Sequence, residues 1–212
     1  MRITAIIVSL FVAIRVLHSQ AEVVPLLSID PQNEVPVPYD GFVEPANDKT
    51  WGYSFYVEEP ITVTHLAWND TDRNGLSHPH PVGIWKDTTG MTSWPYIFEG
   101  VLLVDAIVPA GEAAELAGPW RRIPIAPTVL SPGGYSIGGQ NHSQSEDDMV
   151  YVRDPGPSVI DPRVILGAFV FNTDGPDGFY SPGTVGWYLL NGAELGPMLF
   201  LEATTAGDFN GN

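Results

Sequence analysis

Residues 51–86 read WGYSFYVEEPITVTHLAWNDTDRNGLSHPHPVGIWK, and this stretch decides the fold class. It contains three short segments in which apolar residues alternate with polar or small ones, Trp51–Val57, Ile61–Trp68 and Pro81–Lys86. Such alternation is typical of strands with one buried face, and the Pro, Asn, Asp and Gly between the segments favour turns. The stretch therefore predicts antiparallel β-structure.

The period of two also predicts which side chains share a face of each strand. The odd-numbered residues of the first strand form an aromatic-rich face. In the second strand, Ile61, Val63 and His65 share one face. Leu66 and Trp68 lie on the opposite face with two threonines.

Further short strands follow, and Gly and Pro interrupt nearly every gap between them. They are predicted at Val101–Val108, Trp120–Ile125, Gly134–Gly139, Met149–Val152, Val164–Phe171, Val185–Leu190 and Met198–Leu201. No stretch keeps a helical period, and Glu112–Leu116 is long enough for one helical turn at most. The pattern predicts an all-β, two-sheet antiparallel sandwich that is jelly-roll-like.

Composition supports a packed domain. The chain has 212 residues, of which 44% are hydrophobic and 11% aromatic, and it contains 22 Gly, 20 Pro and no Cys. Frequent Gly and Pro favour turns over long helices, and the aromatic share argues against disorder. Without cysteine, disulfides and thiolate metal sites are excluded.

The formal net charge is −16, from 9 Lys plus Arg against 25 Asp plus Glu. Nucleic acid is not an expected partner, because phosphate binding needs a basic stripe. An anionic membrane surface is not an expected partner for the same reason. The acidic balance favours solubility outside the cell, and it also suits a hard cation such as Ca²⁺.

Four segments are predicted along the chain. Residues 1–21 contain Arg2, an apolar run too short to span a bilayer and a small-x-small end at Ala21, which indicates a secretory signal peptide. The alternative is a buried N-terminal strand. Residues 22–49 form a proline-rich lead-in, residues 50–203 the sandwich, and residues 204–212 a linker with the start of a further repeat. We expect a secreted or surface-anchored protein with no transmembrane span beyond the signal peptide.

A polar loop follows the second strand and carries oxygens at alternate positions, Asp70, Asp72 and Asn74, before Gly75. A turning backbone can aim such oxygens at one centre, and Ca²⁺ prefers carboxylate and amide oxygens. The closing carboxylate of an EF-hand is absent, since the twelfth position counted from Asp70 is Pro81. The loop predicts either a Ca²⁺-stabilised turn or an Asx-rich turn that caps its own amides.

Two histidines, His78 and His80, lie just beyond that loop, and His65 lies on the strand before it. Zinc needs three or four close nitrogen, oxygen or sulfur ligands. Pro79 favours an extended backbone between the two histidines, so we expect their rings to point to opposite sides as surface or edge-strand side chains. His142 belongs to a separate polar loop.

No catalytic constellation stands out. Adjacent carboxylates such as Glu58–Glu59 and Asp147–Asp148 would face opposite sides of a strand, which is a poor arrangement for an acid–base pair. The Gly-x-Ser-x-Gly motif of a serine hydrolase is absent. We expect a protein that is not an enzyme, with a hydrolase as the alternative.

Aromatic rings at the surface could stack on the apolar faces of sugars. The strongest candidate platform is the pair Trp94 and Tyr96, which flank a proline, and Trp120 beside two arginines is another. The alternative is that these rings anchor the core, since large aromatic side chains are mostly buried.

The order of motifs resembles a β-sandwich domain of unknown function in secreted bacterial proteins, which often carry a C-terminal sorting signal of the PEP-CTERM type. The motifs are GYSFYVEEPITVTHLAWNDTDRNGLSHPHPVGIWKD, GVLLVDAIVPAG and WRRIPIAPTVLSPGGYSIGG, and they cover roughly residues 51–140. The resemblance implies a non-catalytic, extracellular or surface-displayed domain, for which carbohydrate binding is a common conjecture.

The segment GDFNGN resembles the opening of a type I dockerin repeat, whose EF-hand-like loop reads D-x-N-x-[DN]-G. Asp208, Asn210 and Asn212 match its first three ligand positions. The glycine and the closing carboxylate do not follow, because the sequence stops at Asn212.

Two functions are therefore expected as alternatives. The first is a binding module for polysaccharide or a surface protein, with Ca²⁺ in the Asp70–Asn74 loop. The second is a structural or assembly domain of a surface-anchored protein, which acts through its C-terminal segment.

Overall fold

The computed structural model describes residues 22–28, 34–36, 49–89, 100–142, 150–152, 159–171, 178–182, 184–188 and 193–203. All regular secondary structure in these residues is β-strand. The strands are β1 (Val23–Pro25), β2 (Leu27–Ser28), β3 (Glu34–Pro36), β4 (Thr50–Val57), β5 (Ile61–Asn69), β6 (His80–Asp87), β7 (Gly100–Val108), β8 (Glu115–Ala117), β9 (Trp120–Leu130), β10 (Gly133–Gln140), β11 (Val150–Val152), β12 (Val159–Ile160), β13 (Val164–Phe171), β14 (Thr184–Tyr188), β15 (Ala193–Leu195) and β16 (Pro197–Glu202).

Two antiparallel sheets make up the body of the fold. One has five strands in the order β1-β16-β5-β9-β8, and the other has six in the order β14-β13-β4-β10-β6-β7. Two small antiparallel sheets, β15-β11-β3 and β12-β2, accompany them. Between β4 and β10 the chain changes sheet four times, between β4 and β5, β5 and β6, β7 and β8, and β9 and β10. The prediction of an all-β, two-sheet sandwich is confirmed.

The core lies between the two sheets, and β4 supplies its aromatic part. Tyr53, Phe55 and Val57 are at most 2% exposed, as the alternation predicts. The Tyr53 hydroxyl donates to Sδ of Met198 at 3.4 Å and so links the six-stranded sheet to the five-stranded one. Burial raises the pKa of Tyr53 well above its ordinary value, so this hydroxyl keeps its proton.

The faces expected for β5 are wrong beyond its first half. Ile61, Val63, Leu66 and Trp68 are all buried, although they change parity along the strand. Strand β16 pairs its successive residues Phe200 and Leu201 with residues 65 and 63 of β5, so residue 64 has no partner there. This β-bulge adds one residue to β5, so Leu66 and Trp68 lie on the same face as Ile61 and Val63.

The indole of Trp68 fits between two glycines that belong to different strands or turns. A Cβ added at Gly196 would lie 2.7 Å from Cη2 of Trp68, and one added at Gly139 would clash with Cζ3. Only glycine therefore allows both backbones to approach the ring. The contact fixes the end of the sandwich at which β5 and β10 finish.

Two segments outside the predicted strands also pair in the sheets. Residues 115–117 form β8, paired antiparallel with the start of β9, so the one helical turn that Glu112–Leu116 is long enough for is not formed. The start of the proline-rich lead-in packs on the sandwich, because β1 pairs with β16 at the edge of the five-stranded sheet. Residues 1–21 and 204–212, predicted as a signal peptide and a dockerin-like start, lie outside the described residues.

Candidate functional site

A buried ion pair anchors the loop between β5 and β6. Asp70 is 4% exposed and Arg121 on β9 is 5% exposed. Arg121 Nε donates to Asp70 Oδ2 at 2.6 Å, and the same oxygen accepts from the backbone N–H of Gly75 at 3.3 Å. A buried carboxylate with a guanidinium and an amide as partners is satisfied, so Asp70 holds the loop closed.

The two remaining nitrogens of Arg121 donate to backbone carbonyls of two other segments. Its Nη1 donates to the carbonyl of Ala114 at 3.3 Å, and its Nη2 donates to the carbonyl of Arg73 at 3.4 Å. The backbone N–H of Asp70 donates to the carbonyl of Pro119 at 2.7 Å. The β5–β6 loop, the approach to β8 and the β8–β9 turn are therefore tied together at one point.

The outer half of the same loop is an exposed Asx turn. Oδ1 of Asp72 accepts from the backbone N–H of Asn74 at 3.4 Å, and Oδ2 of Asp72 accepts from Asn74 Nδ2. Arg73 has φ of 60° and Gly75 has φ of 96°, which lets the chain reverse within a few residues.

These contacts engage the two carboxylates that the sequence predicts for Ca²⁺. The Asp70 carboxylate is held by Arg121, and the Asp72 carboxylate binds Asn74. Among the described residues, no group of three or more His, Asp or Glu side chains is arranged, as it stands, to hold a metal ion. The calcium site at Asp70, Asp72 and Asn74 stays a prediction.

Three histidines come together at the end of the sandwich beside this loop, and we name them the histidine cluster: His78, His80 and His142. The ring centroids of His78 and His142 are 5.4 Å apart, and those of His80 and His142 are 5.5 Å apart. The expectation that His78 and His80 point to opposite sides is wrong, because residues i and i+2 of an extended chain share a side.

Backbone carbonyls orient two rings of the histidine cluster. His80 Nδ1 lies 2.9 Å from the carbonyl oxygen of Gln140, and His142 Nε2 lies 2.8 Å from that of Pro79. His80 is fully buried and stacks on Trp68 with centroids 4.1 Å apart and planes 6° from parallel. The Gln140 carbonyl and the Trp68 ring therefore fix both the position and the plane of the His80 ring.

Six buried polar atoms of the described residues have no hydrogen-bond partner. They are Nε1 of Trp68, Nδ2 of Asn69, Nε of Arg122, Oγ of Ser136, Oδ1 of Asn141 and Oγ of Ser181. Trp68 stacks on His80, and Asn141 precedes His142 in sequence. Buried polar atoms of this kind are normally served by a bound water or ion.

Of the predicted sugar-stacking rings, the structure describes one. Trp120 is 4% exposed and pairs with Asn69 across β9 and β5, so its ring belongs to the core and the alternative reading is the one observed. Trp94, Tyr96 and the carboxylates Asp147–Asp148 lie outside the described residues. The same holds for the predicted dockerin-like ligands Asp208, Asn210 and Asn212.

A second ion pair lies on the surface next to the buried one. Arg122 Nη2 donates to Glu115 Oε1 at 2.6 Å, and the guanidinium lies 5.1 Å from the centroid of the Phe200 ring. The hydrogen bond from Arg122 is the main reason that the pKa of Glu115 is lowered. Burial, and then the charge of Arg122, lower the pKa of His65. This pair is half-solvated, unlike Asp70–Arg121.

Strand β7 is a surface feature that sequence reasoning missed. It is nine residues long, it ends the six-stranded order, and no described strand lies on its other side. Val101, Leu102, Leu103 and Ile107 are 42–59% exposed. The sequence of β7 does not indicate that the strand is an exposed edge, because a run such as GVLLVDAIV also fits a buried strand.

The edges of the five-stranded sheet are different. Strand β1 has three residues and ends in Pro25, and β8 has three residues that include Glu115. The part of β9 that extends beyond β8 contains Pro124 and Pro127. Short strands, charges and prolines discourage the addition of another strand, and β7 has none of these except Asp105 and a bulge at Leu103.

The residues that the structure describes contain no helix of the length and apolar character that crossing a membrane requires. No protein-family model, curated protein or solved structure matches this chain.

Proposed function

We propose that this chain is a non-catalytic extracellular interaction domain that assembles through its edge strand β7, where a second copy of the chain adds its own β7 in antiparallel orientation. The observation that carries the proposal is the long apolar edge of β7, in contrast to the edges of the five-stranded sheet, which are short or contain proline. The extracellular location rests on the signal-peptide pattern of residues 1–21.

A free strand edge presents unpaired N–H and C=O groups to an incoming strand. Antiparallel pairing of two β7 strands centred on Val104 would bring their exposed aliphatic side chains together. Val101 and Ile107 are 59% and 58% exposed in one chain, on either side of the bulge at Leu103, so pairing would cover part of both faces of the edge. Aliphatic cross-strand pairs of this kind stabilise a sheet by roughly 0.2–1 kcal/mol each.

Charge also favours this strand as the contact. Two copies of a chain with net charge −16 repel each other, and β7 has one charged residue, Asp105, among its nine. Pairing centred on Val104 would also keep the Asp105 carboxylates of the two copies from lying directly opposite each other. Added salt screens the repulsion between the two acidic chains, so self-association should strengthen as ionic strength rises.

The use of charged side chains supports a non-catalytic role. Asp70 is held by Arg121, and Asp161 receives hydrogen bonds from Nε and Nη2 of Arg163 at 2.9 and 2.7 Å. Burial alone would raise the pKa of Asp161, but the bonds and charge of Arg163 outweigh it and lower the pKa. A carboxylate held in this way is a structural anion and a poor general acid.

Sedimentation velocity of the folded chain at several concentrations and two salt levels tests the assembly proposal. We expect a monomer–dimer equilibrium that shifts toward dimer at high salt. Ile107→Lys should shift it back to monomer, because a lysine on the edge blocks strand addition. The matched control is Val129→Lys on β9, at a side chain 63% exposed, which should leave the equilibrium unchanged.

Two results would contradict the assembly proposal. One is a wild-type chain that stays monomeric at every salt level and concentration. The other is a dimer that Ile107→Lys and Val129→Lys weaken equally. Circular dichroism of each variant separates a lost contact from a lost fold.

A second candidate function is polysaccharide binding at the connection between β6 and β7. The predicted platform, Trp94 and Tyr96, falls in this connection, directly before the exposed edge of β7. Polysaccharide pull-down with wild type, Trp94→Ala and Trp120→Phe tests it. Binding lost only in Trp94→Ala would support the platform, and repeating the assay with Ca²⁺ and with chelator tests the predicted role of the metal.

A further inference from the structure

The tip of the β5–β6 loop holds the pair Asn74–Gly75, which is the one Asn-Gly dipeptide among the described residues. An asparagine side chain followed by glycine can react with the backbone, because glycine has no Cβ to obstruct the approach to its amide nitrogen. Asn74 is exposed and Gly75 is partly exposed, so water reaches both. The tip of the loop therefore has the composition and the accessibility that spontaneous deamidation requires.

This reaction is a cyclisation followed by hydrolysis. The backbone nitrogen of Gly75 loses its proton and attacks Cγ of Asn74. A new C–N bond forms, and the bond between Cγ and Nδ2 breaks, so that the amide leaves with the proton as ammonia. Water then opens the cyclic imide at either of its carbonyls. The product is aspartate or isoaspartate at position 74, and water is the only other reactant.

A carboxylate holds the attacking nitrogen in its unreactive, protonated form. The backbone N–H of Gly75 donates to Oδ2 of Asp70 at 3.3 Å. Asp70 is 4% exposed, and the same oxygen accepts from Nε of Arg121 at 2.6 Å, so this acceptor is fixed in place. A hydrogen bond to a negative acceptor and the negative charge itself both disfavour loss of the amide proton. The fold therefore restrains the nucleophile.

A second carboxylate holds the amide that has to leave. Nδ2 of Asn74 donates to Oδ2 of Asp72, and the backbone N–H of Asn74 donates to Oδ1 of Asp72 at 3.4 Å. Cyclisation brings Cγ onto the nitrogen of Gly75, so the Asn74 amide first has to separate from Asp72. The turn at the loop tip therefore restrains the electrophile as well.

The loop is also anchored on both sides of the reactive pair. The backbone N–H of Arg73 donates to the carbonyl of Asp70 at 3.1 Å, and Leu76 and Gly111 exchange two backbone hydrogen bonds of 3.2 and 2.6 Å. A cyclic imide at residue 74 requires the backbone to move between these anchors, so the folded loop opposes its formation. Isoaspartate would lengthen the backbone by a methylene between the same anchors and loosen the loop.

We propose that Asn74 is a site of spontaneous deamidation, and that Asp70 and Asp72 hold the reaction back in the folded chain. The modification then records opening of the β5–β6 loop, because the reacting groups are released only when their hydrogen bonds to the two carboxylates are broken. Conversion to aspartate adds a negative charge to the loop, and conversion to isoaspartate lengthens its backbone. The reaction does not depend on assembly through β7.

Peptide mapping by mass spectrometry after incubation at neutral pH tests the proposal, with the chain either folded or unfolded in urea. Digestion at acid pH limits further conversion during preparation. We expect Asn74 to convert at least about 10-fold more slowly in the folded chain than in urea, because hydrogen bonds to carboxylates must be lost first. Asp72→Ala should speed conversion in the folded chain by about 3- to 10-fold, since it removes one of these bonds.

The matched control is Asp87→Ala. Asp87 also accepts within its own turn, from the backbone N–H of Thr89 at 2.8 Å, and it lies at the opposite end of β6 from the loop. This variant loses the same charge and should leave the conversion rate of Asn74 unchanged. Circular dichroism and Tm show that each variant is folded.

Four results would each overturn the proposal. They are no conversion of Asn74 in urea, equal rates in the folded chain and in urea, no acceleration by Asp72→Ala, and equal acceleration by Asp72→Ala and Asp87→Ala.

Discussion

Asp70 and Asp72 are two residues apart in one loop, and the structure gives them different tasks. Asp70 is 4% exposed, pairs with Arg121 at 2.6 Å and receives the amide of Gly75. Asp72 is exposed and bonds only within its own turn, to Asn74. One carboxylate connects the loop to the sandwich, and the other shapes the tip of the loop.

The difference teaches how to interpret alternating Asp and Asn residues. Alternation predicts that oxygens can converge, but it does not show which cation they serve. In this chain the cation beside Asp70 is a guanidinium from a strand about fifty residues further on. A metal at Asp70 would have to displace Arg121 and leave its charge buried without a partner, which is costly.

The largest effect should come from removing the Asp70 charge. Asp70→Asn leaves the Arg121 guanidinium buried without its anion, and we expect the free energy of unfolding in urea to fall by about 3–5 kcal/mol. A loss below about 1 kcal/mol would contradict the structural role and return Asp70 to the set of available ligands.

A smaller effect is expected where the loop turns between the two aspartates and β6. Gly75 has φ of 96°, and a Cβ there would lie 2.9 Å from the carbonyl carbon of Gly111. Gly75→Ala should cost about 1–3 kcal/mol. The control is Gly118→Ala, since Gly118 also has positive φ but nothing lies within 4 Å of its added Cβ. If both variants lose the same stability, crowding at Gly75 is not part of the cost.

Arg122 is next to Arg121 on β9, and its partly exposed pair with Glu115 allows a comparison with the buried pair. Glu115→Gln should lower the free energy of unfolding by less than about 1 kcal/mol. Because the folded pKa of Glu115 is lowered, this contribution is present above the unfolded value of about 4.3 and is lost as pH falls below it. Urea unfolding at neutral and acid pH measures the size of this contribution and its pH dependence. Repeating it at low and high salt measures how much of the contribution is screened. A loss as large as that of Asp70→Asn would remove the contrast between buried and exposed pairs.

The smallest effect should come from Asp72. Asp72→Asn keeps an acceptor for the Asn74 amide, and we expect a change in stability within about 0.5 kcal/mol. The same variant tests the calcium prediction through thermal unfolding with and without Ca²⁺. A Ca²⁺-dependent rise in Tm that is lost in Asp72→Asn and kept in Glu115→Gln would establish a calcium site in the loop.

The sequence predicts most of the fold because the strands obey one local rule. Tyr53, Phe55 and Val57 alternate inward as the period of two requires. The rule fails at Leu66 and Trp68, because the bulge at residue 64 depends on how β16 pairs with β5, and no local pattern specifies that pairing. Strand existence is a local property, whereas register is a property of the partners.

The candidate sites were harder to predict, because their parts come from different strands. The partner of Asp70 is on β9, and the ring that joins His78 and His80 follows β10. Applied to positions i and i+2, the period of two would have placed His78 and His80 on the same side. The approach of His142 depends on β6 and β10 becoming neighbours in the sheet, which is a tertiary event.

The place of β16 in the five-stranded sheet has a consequence for the order of folding. This strand, at residues 197–202, lies between β1 and β5, so a strand near the start of the chain is bonded through it to the rest of the sheet. Loop closure over such separations is slow, and topologies of this kind fold late and as a whole. Until residue 202 has been synthesised, β1 and β5 have no β16 to pair with, and the nascent chain cannot complete its core.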